Sequence, residues 1–64
     1  MDWKQKRRMY MHYNRLEFKL YEWLYRESMG HPEAATHIRQ LEWELAIAQQ
    51  AIANTYRTLA QQLY

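Results

Sequence analysis

The chain has 64 residues, 48% of them apolar and 16% aromatic, with a net charge of only +2 and no cysteine. That length leaves room for one small domain, and so much apolar content excludes a disordered chain. Without cysteine there is no disulfide, no thiolate metal site and no cysteine nucleophile, so a domain this short is expected to draw its stability from packing and oligomerisation.

The N-terminus, Met1-Asp2-Trp3-Lys4-Gln5-Lys6-Arg7-Arg8, is basic, but no apolar signal core follows it. No apolar run approaches the roughly 20 residues that span a bilayer. The reading is a cytoplasmic protein with no cleaved address. Residues 1–15 carry Lys4, Lys6, Arg7, Arg8 and Arg15 against Asp2 alone, while residues 16–64 carry four basic groups against six glutamates. The chain is a dipole with a basic head.

A first helix is expected at about 3–28, because nothing in that stretch breaks one. Met9, Tyr13, Leu16, Leu20, Trp23 and Leu24 recur at three- and four-residue steps and form its stripe toward a second helix. Beside it runs a second apolar stripe, Trp3, Tyr10, Phe18, Tyr21 and Tyr25, with Met11 at its far edge. Only one narrow arc is consistently polar. Lys4, Arg8, Arg15, Lys19 and Arg26 share that arc of about 60°, interrupted by Glu22.

Ser28-Met29-Gly30-His31-Pro32 is the one strong punctuation. Gly30 suits the left-handed position past a helix end. Pro32 suits the first turn of the next helix, with Glu33 at the positive end of its dipole and His31 as cap or loop. The turn is therefore placed at 29–31 and the second helix at about 32–63. Its buried face is Ala34, Ile38, Leu41, Leu45, Ala48, Ile52, Leu59 and Leu63, with Tyr56 at the edge. Ala35, Ala46, Ala53 and Ala60 line its flank, the last three seven residues apart, and small side chains let another helix approach closely. Trp43 and Ile47 form a further apolar pair away from the main seam. Tyr64 ends the chain inside the helical pattern, free to fray or to dock on a neighbour.

Residues 1–64 thus read as a single all-α domain, an antiparallel helical hairpin. Two helices cannot cover both apolar stripes of the first. If each large buried side chain contributes roughly 1.5–3 kcal/mol, exposing five aromatics would undo a marginal domain. The expected outcome is a homodimer forming a four-helix bundle. In length and hairpin layout this resembles the Rop family of plasmid copy-number regulators, whose helical face binds an RNA pair; no motif is shared, and a fold does not fix a function.

No catalytic residue, metal ligand or cofactor site is nominated. Ser28 has no partnered acid–base pair, the glutamates make no matched pair, and a glycine-rich phosphate loop is absent. Glu33 and His37 have the i, i+4 spacing of two ligands, and two ligands do not make a metal site. The expected function is a small non-enzymatic interaction module, a regulator or adaptor. Its protein contacts would come from Trp3, Tyr10, Phe18, Tyr21 and Tyr25, with Trp43 and Ile47 extending that surface or covering a partner's. The alternative is a dimeric nucleic-acid-binding protein using Lys4, Arg8, Arg15, Lys19 and Arg26 as phosphate contacts. A membrane surface is the weakest of the partner readings.

Overall fold

The first helix stops because Gly30 turns left-handed. In the computed structural model, which describes residues 3–63, α1 spans Trp3–Ser28 and α2 spans Ala34–Leu63. The expectations placed on Asp2 and Tyr64 lie outside the described residues, as does the side chain of Leu63. Gly30 has φ 83°. The amide of His31 donates to the Arg26 carbonyl at 3.0 Å and that of Gly30 to the Glu27 carbonyl at 3.0 Å. That pair of bonds is a Schellman motif, which satisfies carbonyls that the helix end leaves without partners.

The second helix begins two residues later than the expected position 32. The Ala34 amide donates to the His31 carbonyl at 3.3 Å, and the first full helical bond joins the His37 amide to the Glu33 carbonyl at 3.4 Å. Pro32 and Glu33 therefore form a capping turn. His31 caps it, its Nδ1 accepting from the Glu33 amide at 3.4 Å. Terminal bounds of this kind shift by one or two residues according to whether the cap is counted.

The two helices pack antiparallel along one seam. Leu16, Leu41 and Ala48 are buried together, with Tyr13, Leu20, Trp23 and Leu45 packed against them. Ala34 and Ile38 complete the buried set near the turn. From Ala34 to Leu59 the expected α2 face is the observed one. On α1 the expectation holds except at Leu24, which is exposed at the edge of the seam.

The hairpin is long and thin, 51 × 17 × 12 Å. Its radius of gyration is 15.2 Å, against about 11 Å for a compact domain of this length. It exposes 5565 Å² at a mass of 8.0 kDa, about a quarter more than the ~4,450 Å² of a compact monomer of that mass. One seam is not a core in the ordinary sense.

Candidate functional site

The seam divides the hairpin surface into two flanks, each fixed by a cross-helix contact. On the first flank the hydroxyls of Tyr10 and Tyr56 lie 2.7 Å apart, and Lys6 Nζ stands 5.3 Å from the centre of the Tyr56 ring. The Tyr10 hydroxyl, followed by Lys6, holds the Tyr56 hydroxyl below its usual range, and that same hydrogen bond raises Tyr10. Across the seam from them, Thr55 sets the register, its hydroxyl 3.8 Å from Met9 Sδ and bonded back to the Ala51 carbonyl at 2.9 Å.

On the second flank the ring of His37 stacks on Trp23, with centroids 3.8 Å apart and planes within 8°. His31 meets the same indole edge-on at 5.6 Å, and the Arg26 guanidinium lies 4.5 Å from its centre. Both histidines near the turn are thus taken up by Trp23. Among the described residues no three His, Asp or Glu side chains stand close enough together to hold a metal ion.

These contacts sort the sequence-level candidates. Residues three, four and seven apart share a helix face. From Tyr10 that rule leads along α1 to Trp3, Lys6, Asn14, Glu17 and, one turn on, Tyr21. From Tyr56 it leads along α2 to Ala53, Ala60 and Ala46. The first flank is therefore aromatic on one helix and small on the other. From Trp23 the same rule leads to Lys19 and Arg26, and on to Arg15, Arg8 and Lys4, so the cationic arc borders the second flank.

The aromatic stripe does not lie on one plane. Phe18 and Tyr25 stand on the back of α1, away from the seam, and are 66% and 67% exposed. Trp3 and Tyr21, 72% and 61% exposed, sit between that back and the first flank. Phe18, Tyr21 and Tyr25 line a shallow open groove with Glu22 and Arg26, where the aromatic and cationic stripes meet. Trp43 and Ile47 are exposed on the far side of α2. They do not extend the aromatic surface of α1, because both surfaces point away from the shared seam and so form opposite outer edges of the hairpin.

Antiparallel pairing also creates a charge pattern that runs along the long axis. The open half, residues 3–16 and 45–63, carries Lys4, Lys6, Arg7, Arg8, Arg15 and Arg57 and no acidic side chain. All six glutamates fall in residues 17–44, beside only Lys19, Arg26 and Arg39. Among the described residues the side-chain charge is thus +6 in the open half and −3 in the turn half; Asp2, outside them, brings the net charge of the chain to +2. Arg57 belongs to the basic head although it stands near the other end of the chain. The linear charge count assigned it to the acidic remainder; only the hairpin brings it back.

Glu22 forms no ion pair with Lys19 or Arg26 among the described residues. No helix among them is long and apolar enough to cross a membrane. No family model, no curated protein and no solved structure matches this chain.

Proposed function

We propose that this chain is a small non-enzymatic interaction module that works by presenting helix faces, and that it self-associates into a four-helix bundle. One observation carries the reading: the hairpin leaves Trp3, Phe18, Tyr21 and Tyr25 more than half exposed around α1. Aromatic side chains supply large rigid contact area and anchor interface cores. Apolar patches of this extent on so small a body are interaction surfaces. The experiment is Phe18→Ala combined with Tyr21→Ala, read by light scattering and thermal melting. The native chain is expected at twice 8.0 kDa, and the double variant at a lower mass and melting temperature. A double variant with unchanged mass and stability would remove the stripe from self-association.

A second reading, polyanion binding by the open end, rests on the charge segregation and on helix energetics. The first turn of α1 has no acidic residue. Cations there oppose the helix dipole, each by roughly 0.3–1 kcal/mol, although Lys6 also lies over the Tyr56 ring. Phosphate contacts would favour such a cluster, since neutralising phosphates releases counterions. Titration against duplex DNA, single-stranded DNA and structured RNA at about 50 and 200 mM salt tests it: phosphate binding falls steeply between the two. No binding at the lower salt rejects it.

A further inference from the structure

Resting on the self-association proposed above, we infer that the occupant of the Tyr10–Tyr56 flank is a second copy of this chain, docked face to face with its turn at the opposite end. The area requires a large partner. The hairpin exposes 5565 Å², an excess of about 1,100 Å² over a compact monomer, while a stable interface takes about 800 Å² from each side. Among the long faces, this flank joins aromatic side chains on α1 to alanines on α2, and it lies clear of the cationic arc.

The charge pattern chooses the orientation. With turns together, the +6 open ends would lie against each other. With turns apart, each open end lies over the −3 half of the other copy, which is the electrostatically complementary arrangement.

The side-chain pattern of α1 has the matching symmetry. A two-fold axis across the bundle, through the midpoint of α1, brings Tyr10 of one copy onto Tyr21 of the other, and Trp3 onto Ser28. It also sets Asn14 against Glu17, so the carboxylate at the centre of the face, which accepts from the Tyr21 hydroxyl at 3.5 Å within one copy, meets an amide donor from the other. Met9 stands level with Thr55, which puts that axis level with the stretch of α2 between Ala46 and Ala53, within one residue of their midpoint. Ala46 of one copy then meets Ala53 of the other. The alanines let the α2 pair approach closely, and the tyrosines fill the wider gap between the α1 pair, within the 8–10 Å range of interhelix distances that side-chain size sets.

The chain lacks cysteine, so introduced thiols report cleanly. Ala46→Cys and Ala53→Cys chains are mixed and oxidised, after circular dichroism confirms that each remains helical. The expected product is a disulfide-linked heterodimer, with neither variant cross-linking to itself, because a seven-residue offset separates like positions by about 10 Å. In parallel, the dimer Kd of the native chain is expected to rise several-fold from low to high salt, as attraction between opposite ends is screened. Cross-linking instead between Glu17→Cys and Ala46→Cys chains, which face each other only when the turns lie together, overturns the orientation. So does a Kd that falls with salt. A native dimer with no cross-link from either mixture overturns this face and leaves self-association standing. A native chain that stays monomeric at all concentrations overturns both.

Discussion

The two flanks of the seam are built from the same two helices and differ in nearly every property. One is closed by a pair of hydroxyls and runs from tyrosines on α1 to alanines on α2. The other is closed by an indole between two imidazoles and a guanidinium and runs out into cations. The contrast shows how a two-helix chain can offer two kinds of surface at once. A helix has room for a seam, an apolar flank and a polar flank, and a hairpin that buries only the seam leaves both flanks available. The lean core is the counterpart of that availability.

Because both flanks depend on one seam, the largest effect is expected where the seam is most enclosed on α1. Leu16 is 5% exposed and packs with Leu41 and Ala48. Leu16→Ala is expected to cost about 2–5 kcal/mol, enough to abolish cooperative unfolding in a domain this small. Circular dichroism melting checks it, and an unchanged melt would mean that the seam is not what holds the hairpin. A narrower break separates the first flank from the back of α1. Tyr21→Ala alone is expected to lower the solution mass, and Phe18→Ala, at a position on the back of α1, to lower it less. Equal effects would mean that the interface wraps round the back of α1.

The seam was legible in the sequence for a specific reason: Ala34, Ile38, Leu41 and Ala48 recur at helical spacing, and a repeat of that kind reports burial directly. The turn was legible because Gly30 and Pro32 have backbone preferences independent of their surroundings. What stayed hidden depended on which residues meet across the seam. No spacing rule brings Tyr56 to Tyr10 or His37 to Trp23, since each pair lies on two helices whose relative register the turn sets. The same holds for Arg57. Trp43 and Ile47 were identified as exposed from α2 alone, but their side of the hairpin follows only once α1 has taken the other.

That dependence on the turn gives a smaller test. Gly30 belongs to neither flank, and a Cβ built there meets nothing within 4 Å. Gly30→Ala is therefore expected to destabilise only through the left-handed backbone, by roughly 1–2 kcal/mol, with no change in which residues face each other. A much larger loss in chemical denaturation would show that the Schellman turn fixes the register as well as ending α1. The cationic side is tested without touching stability. Arg15→Ala with Lys19→Ala is expected to leave the melt within about 0.5 kcal/mol. If the cationic arc binds phosphates, the pair should also flatten the slope of log K against log salt by about 1.8, the share of two contacts.

The mildest test concerns the hydroxyl pair itself. The Tyr10 hydroxyl is the leading reason that Tyr56 ionises below the usual 10.0, with Lys6 next, and the same bond delays Tyr10. The signs follow for folding. Tyr56, with its folded value depressed, adds stability as pH rises through that value; Tyr10, with its value raised, withdraws stability above 10.0. Below that window both are protonated in either state and contribute nothing. The two opposing trends leave the melt a poor readout, so the tyrosinate absorbance is the measurement to take. Tyr10→Phe is expected to move the earliest tyrosine midpoint upward, toward the ordinary value but still under the influence of Lys6. Tyr56→Phe is expected to move the latest midpoint downward. If both variants titrate like the native chain, the hydroxyls do not meet, and the contact that defines the first flank is lost as a landmark. If both shift as stated, the register that sets Tyr10 beside Tyr56 stands, and with it the position of the alanines against which a second copy is placed.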